Sequence, residues 1–594
     1  MAALSAVVRA AYLYVYAASD PLYDHLLHDA RRYHEWASAL ALGNPWEAGP
    51  FHQAPLYPYL VALVYALAGT RPLAVYGIQL LCGLATILLV WRIGSFVRDR
   101  RAGLVAASLA ALYGPFLFYE TRLLPATLVV FLSAVAVERL LAADRSSRNL
   151  LWLVAGIVLG LSAIASPGSL LLLLLAIPWT LGDRARARPL RARRAGLLLA
   201  GAALVIVPVT VRNAWVGEEA VLISTNGGIT FYQGNNPVAG GVFSAPEGFS
   251  GSVFTQRQES RALAERETGT PLTDSEVSRF WLRKGVAFLA SEPGRAARLV
   301  GRKLAFALDD YEQPLEYAPS LDPNPIRFLV PLPFAVLLGL AAIRLFPSVG
   351  RLSRGESLLV LALAAQVLVL LLFYVSSRYR LPAVPALAVL AGSGAVLAWD
   401  RLREAGRRMV VPLLSGAALS LFSFFFMPLA DPGHYRSVEA MALCDRAGAC
   451  FAAKRLDEAI SGYREAIRLD PTYAFAHLDL AHALDARGDR AEAEREMREA
   501  VRLAPGVAEA HLALGVHLYE EGRLVEAADR FAEAFRLGPT ADTGNNLIGT
   551  CLKLGRLAEA LAAWRAMKTR GLPVDPQLES WIRESEGAGG GTGP

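Results

Sequence analysis

Charged, histidine and aromatic side chains crowd into one short stretch near the start of the chain. The run from 24 to 36 contains Asp29 together with His25, His28 and Tyr33, and it follows an apolar opening segment. If the run is helical, His25, His28 and Asp29 share one face, because residues three and four apart are neighbours on a helix. A carboxylate at the rim of a bilayer can take a proton from a group that cannot leave the membrane. The sequence therefore predicts that Asp29 is a general base.

A second acidic candidate is Glu120, in a tight turn between two apolar segments. We expect its carboxylate to point into the same cavity as Asp29 and to position an acceptor or a cation. Two other interpretations stay open for Glu120: a local ion pair with Arg122, or a capping role at the start of the next helix.

Two arginines, Arg378 and Arg380, lie near the end of a later apolar span. Basic residues are normally avoided on that side of a membrane, so a guanidinium retained there indicates an anionic partner. Its planar fork matches the oxygens of a phosphate. We predict that both arginines bind a lipid phosphate, with anchoring to ordinary lipid head groups as the alternative.

Further candidates are amide and aromatic side chains that suit hydrogen bonding to sugar hydroxyls. Several of them fall between 226 and 236, where asparagines and glycines alternate, although the same residues also form turns. The predicted substrate contacts are His28, Tyr33, His52, Tyr57, Asn226, Tyr232, Asn235 and Asn236.

Neighbouring histidine and carboxylate groups also suit a divalent metal such as zinc or manganese. His25, His28 and Asp29 offer that combination, but a polar surface facing head groups accounts for them without a metal. We assign no metal ligand and leave a divalent cation open. The sequence contains no phosphate-binding loop, paired CxxC, HExxH or nucleophile elbow, so the chemistry is expected in the membrane and its external loops.

Membrane helices must position these side chains. The chain has 594 residues, of which 54% are hydrophobic and 19% charged, and its mean hydropathy is +0.36. Soluble domains rarely combine such values, and the apolar runs approach the ~20 residues needed to cross a bilayer. We predict an all-α transmembrane bundle of about eleven spans. The expected spans are 2–18, 72–97, 102–119, 123–143, 150–166, 169–182, 196–211, 326–346, 356–375, 383–399 and 409–428.

Arginine-rich loops set the expected orientation, because the side that carries them is cytoplasmic. That places the N-terminus in the cytoplasm of a bacterial-type inner or plasma membrane. The loop 19–71, the long loop 212–325 and the C-terminal part then lie outside. The net charge of +6 needs no nucleic acid to explain it. The arginine-rich loops fall near 98–101, 145–148, 184–194, 351–354 and 401–408.

The C-terminal part is built from repeats. Pro471, Pro505 and Pro539 recur at the ~34-residue interval of tetratricopeptide (TPR) repeats, and small residues recur at the same interval. Such helical repeats form a concave surface, on which we expect an acceptor polypeptide or a protein partner. The predicted divisions are a membrane domain at 1–428, a linker at 429–436, TPR repeats at 437–572 and a partly disordered tail at 573–594.

Asp29, the segment 54–60, Glu120 and the segment 378–382 together resemble the GT-C superfamily of integral-membrane glycosyltransferases. That superfamily includes protein O-mannosyltransferases, lipid A aminoarabinose transferases and oligosaccharyltransferases. The resemblance implies a polyprenyl-phosphate-linked sugar as donor and inverting transfer, outside the cytoplasm, to a lipid, glycan or protein acceptor. Asp29 matches the catalytic aspartate of the first loop. Ala30 follows it where mannosyltransferases carry a second acid.

Two other functions stay open. An enzyme similar to O-antigen ligases or polysaccharide polymerases also uses a lipid-linked sugar, but it is expected to use a late external loop instead of Asp29. A non-catalytic membrane scaffold that displays TPR repeats would tolerate loss of Asp29, Glu120 and Arg378 together.

Overall fold

The structure is a computed structural model that describes residues 2–44, 49–217, 219–246, 249, 253–315, 317–347, 350–403 and 409–589. Helices dominate these residues, and the described ranges contain no β-strand beyond two isolated bridges. The predicted all-α fold is confirmed. The chain divides into two compact units, residues 1–432 and 433–594.

The first unit contains nineteen helices within the described residues. They are α1 Ala2–Ser19, α2 His28–Ala41, α3 Leu56–Ala68, α4 Pro72–Val97, α5 Arg100–Ala111, α6 Gly114–Glu120, α7 Ala126–Arg145, α8 Leu150–Ala165, α9 Leu170–Leu181, α10 Arg188–Gly217, α11 Gly227–Gly234, α12 Gln256–Thr268, α13 Asp274–Ser291, α14 Pro293–Leu308, α15 Phe334–Leu345, α16 Arg354–Leu372, α17 Ser377–Arg380, α18 Val384–Arg403 and α19 Val410–Ala430. Short 3-10 helices cover Pro21–Tyr23, Pro167–Ser169, Pro319–Leu321, Pro325–Leu329 and Leu381–Ala383.

This unit is a membrane domain. Among the described residues, five helices are long and apolar enough to cross a bilayer, namely α4, α7, α10, α16 and the stretch from Ser377 to Arg403. Six shorter apolar helices accompany them, including α1, α3 and α8. Glycines let some of these helices touch: a Cβ on Gly156 of α8 would lie 2.1 Å from the Leu198 carbonyl oxygen of α10.

Two of the expected elements differ in the structure. The span expected over 102–119 is divided into α5 and α6, which are separated at Leu112 and Tyr113. Gly114 and Pro115 follow this break, and proline is favoured in the first turn of a helix but not in its interior. The predicted external loop 19–71 contains two helices, α2 and α3, and the segment 54–60 runs into the apolar helix α3.

The arginine-rich loops meet at one end of the bundle. Arg101 at the start of α5 pairs with Asp400 near the end of α18 at 3.0 Å. Arg354 at the start of α16 pairs with Asp144 near the end of α7, also at 3.0 Å. Two helices that start at this end, α5 and α16, thus lie beside two that finish there, α18 and α7.

The second unit is a stack of helix pairs. Ala493 and Ala527, at equivalent repeat positions, are fully buried, so paired helices approach closely. Gly488 and Gly522 have φ of 96° and 77° and follow the first helix of their repeats. The helices are α20 Pro432–Ala452, α21 Leu456–Leu469, α22 Ala474–Arg487, α23 Arg490–Leu503, α24 Ala508–Glu520, α25 Leu524–Leu537, α26 Ala541–Lys553, α27 Leu557–Thr569 and α28 Pro576–Gly589.

The predicted TPR repeats are confirmed, while the segments on either side of them are helical where the structure describes them. The stretch expected as a linker, 429–436, covers the end of α19 and the start of α20. The tail expected to be partly disordered carries α28, and its residues 590–594 lie outside the described part of the chain.

Candidate functional site

Asp29 lies in the first turn of α2, a helix formed because it presents an apolar stripe to the rest of the unit. Ala30, Tyr33 and Trp36 of this stripe are buried. A carboxylate in the first turn also interacts favourably with the helix dipole. Asp29 itself is only 5% exposed. Its neighbour His28 has a φ of 45°, in the left-handed region, which is uncommon for a residue other than glycine.

Arg378 meets Asp29 across 349 positions of sequence. Its Nη2 donates a hydrogen bond to Asp29 Oδ2 at 2.8 Å, and both side chains are nearly buried. The same nitrogen lies 3.3 Å from the Tyr379 hydroxyl, and the guanidinium stands over the Tyr379 ring at 5.1 Å. The structure thus brings together the predicted base and one of the two predicted phosphate ligands.

A third group, Gln53, also contacts Asp29. Its Nε2 donates to Asp29 Oδ1 at 3.5 Å. The backbone before Gln53 is held by the 225–226 segment: the Thr225 N–H bonds the Phe51 carbonyl at 2.9 Å, and the Asn226 N–H bonds the His52 carbonyl at 3.1 Å. Gln53 therefore extends from a fixed backbone.

The segment that carries Arg378 is fixed by the long loop between α10 and α15. The Val375 N–H donates to the Gly241 carbonyl at 3.0 Å, and the Ser377 N–H donates to the Gln313 carbonyl at 2.7 Å. These bonds satisfy backbone donors where α16 has ended and α18 has not begun.

Arg380 also helps to attach this segment to the long loop, and it pairs with an acid other than Asp29. Its Nη2 pairs with Glu312 at 2.8 Å, its Nη1 donates to the Asp309 carbonyl, and its guanidinium stands 3.9 Å from the centre of the Phe334 ring. The side chain is 2% exposed.

Asn235 and Lys303 together cap the C-terminal end of α16. Asn235 Nδ2 donates to the Leu372 carbonyl at 2.7 Å, and Lys303 Nζ donates to the Leu371 carbonyl at 3.0 Å and to Asn235 Oδ1 at 2.9 Å. A cation suits the negative end of a helix dipole. Burial nevertheless lowers the pKa of Lys303 from 10.5 to about 7, because the charged form loses its hydration.

The other predicted sugar contacts in this region serve local structure. Asn236 Nδ2 donates to the Tyr232 and Gln233 carbonyls, while its Oδ1 accepts from the Val238 N–H at 2.8 Å. The Tyr232 ring packs on Trp281 with centroids 4.9 Å apart. Asn226 immediately precedes α11, and its Oδ1 accepts from Ser224 Oγ at 3.1 Å. These contacts hold the three side chains within the long loop between α10 and α15.

Three aromatic candidates lie closer to α2. The Tyr33 and Tyr57 rings meet edge to face at 5.3 Å, and the Tyr57 hydroxyl donates to Gln79 Oε1 at 2.8 Å. His52 is buried and its Nδ1 lies 3.3 Å from Thr225 Oγ1. Burial, followed by the nearby guanidinium of Arg32, lowers the pKa of His52 to about 3, so its imidazole is neutral at physiological pH.

Glu120 pairs with an arginine of α1. Arg9 of α1 pairs with it through two contacts of 2.8 Å, and Glu120 is 2% exposed. A Cβ on Gly83 would lie 2.0 Å from Glu120 Oε1, so a larger residue there would displace the carboxylate from its present position. Arg122, the expected local partner of Glu120, instead faces Asp20 at 3.9 Å.

The described residues contain one group of three side chains spaced to hold a metal ion, and it lies in the second unit: Glu494, His517 and Glu521. Arg523 already occupies it, since its Nη1 is 2.7 Å from Glu494 Oε1 and 3.5 Å from Glu521 Oε2. Within the described residues, His25, His28 and Asp29 do not form such a group.

Sequence reasoning missed Arg9, Glu312, Lys303 and Gln53. Arg9 carried a usable signal, because a charge inside an apolar span requires a partner within the membrane. Lys303 also had a recognisable signal in the sequence, because it is a basic residue on the apolar side of the amphipathic helix α14. No pattern in the sequence marks Gln53.

Comparison with known proteins agrees with this architecture. Residues 52–211 match the family described as dolichyl-phosphate-mannose-protein mannosyltransferase. The membrane unit therefore carries a domain of this glycosyltransferase family, as the GT-C resemblance implied. Residues 448–488 and 478–542 match tetratricopeptide repeat families. None of the curated proteins matches the sequence.

Among solved structures, the archaeal oligosaccharyltransferase AglB from Archaeoglobus fulgidus, in complex with an inhibitory peptide and a dolichol-phosphate, is 16% identical with a TM-score of 0.40. The match covers 71% of this chain and 55% of that chain. Its apo form gives 16% identity and a TM-score of 0.41, covering 74% and 60%. This chain thus spans little more than half of the archaeal protein. The first TPR domain of Spaghetti (RPAP3), bound to an HSP90 peptide, is 24% identical with a TM-score of 0.20, covering 20% of this chain and 95% of that chain.

Proposed function

We propose that this protein transfers a sugar from a polyprenyl-phosphate-linked donor to an acceptor hydroxyl, with Asp29 as the general base and Arg378 as the ligand of the donor phosphate. The observation that carries the proposal is the 2.8 Å contact between Arg378 and Asp29. It joins an acid and a phosphate-binding group in the unit that matches a glycosyltransferase family. Such a reaction needs these two groups close together.

The ion pair suggests how donor binding prepares the base. A phosphate arriving beside Arg378 competes with Asp29 for the guanidinium, because one nitrogen serves the carboxylate in the resting protein. Once Arg378 turns to the phosphate, Asp29 Oδ2 is released to accept the proton of the acceptor hydroxyl. The acceptor oxygen then bonds the anomeric carbon while the bond from that carbon to the phosphate oxygen breaks. The phosphate leaves with the bonding electrons and is stabilised by Arg378.

One displacement inverts the anomeric centre, and no second carboxylate is needed as a nucleophile. The assignment therefore does not depend on Glu120, whose carboxylate is held by Arg9. Arg380, held by Glu312, is assigned to the scaffold rather than to the donor phosphate.

Orientation is part of the proposal. We place the end of the bundle that carries Asp29 on the extracytoplasmic side of a bacterial-type inner membrane, because the opposite end carries the paired arginine-rich loops. The N-terminus is then cytoplasmic and the TPR repeats are extracytoplasmic, where they hold an acceptor polypeptide or a partner protein. Deleting 433–594 should abolish transfer to polymers or proteins and leave transfer to small acceptors intact.

The experiment that tests the proposal uses the full chain in lipid nanodiscs with a panel of radiolabelled polyprenyl-phosphate sugars. Asp29→Asn should bind the donor at least as tightly as wild type, because the competitor for Arg378 loses its charge, yet transfer should fall by about 10²–10³-fold. Asp24→Asn is the matched control, since Asp24 is an exposed acid of the same loop. Wild-type transfer by Asp29→Asn would refute the base assignment. A wild-type protein that transfers none of the sugars would favour the scaffold function.

A further inference from the structure

Most carboxamide side chains around the site are fully used by the fold. Gln79 accepts from the Tyr57 hydroxyl and donates to the Glu120 and Arg122 carbonyls, each at 2.8–2.9 Å. Asn213 accepts from the Phe51 N–H at 3.1 Å and donates to the Val221 and Ile223 carbonyls. Asn235 and Asn236 likewise have both ends of their amides bonded. Each of these side chains holds backbone in place.

Gln53 is different. Its one hydrogen bond is the contact from Nε2 to Asp29 Oδ1, and at 3.5 Å that bond is long. Its Oε1 is buried and has no hydrogen-bond partner among the described residues. The side chain as a whole is only partly buried. A buried carbonyl oxygen without a partner is uncommon and calls for an explanation, and this one belongs to the residue that touches the proposed base.

We propose that Gln53 is an acceptor-recognition residue: its Nε2 holds Asp29 and its Oε1 accepts a hydrogen bond from a group beside the attacking hydroxyl. The proposal rests on the assignment of Asp29 as the base. It follows from counting hydrogens, since the attacking hydroxyl has one proton and gives it to Asp29. The second acceptor, Gln53 Oε1, therefore requires a second donor on the same molecule.

A sugar supplies that arrangement, because the hydroxyl next to the attacking one is a second donor on the adjacent carbon. A serine or threonine side chain offers only one hydroxyl. A carbohydrate acceptor with neighbouring hydroxyls supplies both donors from side-by-side hydroxyls, whereas a serine or threonine would have to supply its second donor from the backbone N–H. The rigid attachment of residues 51–52 to 225–226 keeps the carboxamide in place for this role.

The test is a double-mutant cycle in which a substitution of Gln53 is combined with removal of one hydroxyl from the acceptor. Wild type and Gln53→Leu are assayed in nanodiscs with the donor that wild type uses. The acceptors are p-nitrophenyl hexosides, their monodeoxy analogues and a serine-containing peptide. In wild type, removing the neighbouring hydroxyl should raise the acceptor KM about 3–10-fold, the effect of one hydrogen bond. In Gln53→Leu the acceptor KM should already be raised by that factor and should not respond to deoxygenation, while the donor KM is unchanged.

Gln53→Glu provides a second measurement, the pH dependence of kcat, which would not change if Gln53 had only a structural role. A carboxylate this close to Asp29 raises the apparent pKa of the acidic pair, so the rise of kcat with pH should move to higher pH than in wild type. Gln258→Leu is the matched control, because Gln258 is exposed on the nearby helix α12. Its acceptor KM should equal that of wild type.

The two proposals can fail separately. If Asp29→Asn abolishes transfer but Gln53→Leu keeps the wild-type KM and the wild-type response to deoxygenation, Gln53 has no role in acceptor recognition and the base assignment stands. A wild-type preference for the serine peptide over every hexoside would overturn the carbohydrate acceptor. If Asp29→Asn transfers sugar at the wild-type rate, both proposals fail.

Discussion

Replacing the buried lysine Lys303 by methionine should change how the stability of the membrane unit depends on pH. Lys303 is 0% exposed, and burial lowers its pKa from 10.5 to about 7. Between these two values the unfolded chain holds one proton more than the folded chain at this position. Stability of the wild type must therefore rise with pH across this window, by at most about 1.4 kcal/mol per pH unit. The penalty for burying the charge is fully present below pH 7.

The size of the effect follows from the shift. Lowering the pKa of Lys303 from 10.5 to about 7 corresponds to roughly 5 kcal/mol between the two ends of the window. Lys303→Met removes this dependence and also removes two hydrogen bonds, to Asn235 and to the Leu371 carbonyl, worth about 1 kcal/mol each. From pH 7 to pH 9 the wild type should gain roughly 2–3 kcal/mol relative to the variant.

The assay is thermal unfolding in detergent, followed by tryptophan fluorescence at intervals from pH 6.5 to 9.5. The difference in Tm between wild type and Lys303→Met should grow steadily in favour of wild type as pH rises. Lys284→Met is the control, since Lys284 is partly exposed and pairs with Glu267, and its difference from wild type should not depend on pH in this range. A Tm difference for Lys303→Met that is the same at every pH would refute the argument from burial.

Other predictions concern the charged groups that the structure separates. Gly83→Ala should lower the Tm and the yield, because the added Cβ would lie 2.0 Å from Glu120 Oε1, and fluorescence-detected size exclusion checks this. Glu120→Gln should destabilise the protein by about 3–5 kcal/mol by leaving Arg9 unpaired, while the folded fraction keeps a transfer rate within a few-fold of wild type. Arg378→Lys should raise the donor KM about tenfold or more, because an ammonium lacks the planar fork. Arg380→Lys should lower the Tm and leave the donor KM unchanged; the opposite pattern in donor titrations would exchange the two assignments.

How far the sequence could predict this molecule depended on the range of the interactions. The TPR repeats were readable because each repeat forms local contacts, and buried alanines such as Ala493 and Ala527 recur with the helix pairs. The apolar helices were readable for the same reason. The break between α5 and α6 was harder, because the residues on both sides are apolar and only Gly114 and Pro115 mark the interruption.

The sequence did not reveal which charged side chains pair with one another, because the partners are distant along the chain. Arg378 stood at the end of a span where basic residues are disfavoured, and the structure does give it an acidic partner. For Glu120, a local ion pair with Arg122 was one of the interpretations left open, because the two are close in sequence. In a membrane a carboxylate takes whichever cation the helix packing brings to it, and here that cation is Arg9.

The asparagines show why residue type alone did not identify the site. An amide that caps a helix and an amide that binds a sugar have the same sequence signature, and Asn235 and Asn236 proved to be bonded to backbone carbonyls. The distinction comes from asking which polar groups the fold has already satisfied. That question directs attention to Gln53, whose Oε1 has no hydrogen-bond partner among the described residues and whose Nε2 reaches Asp29. Polar groups that bond to other side chains can be rearranged by a substrate without unfolding the protein, which is why the proposed chemistry is assigned to the contact between Asp29 and Arg378.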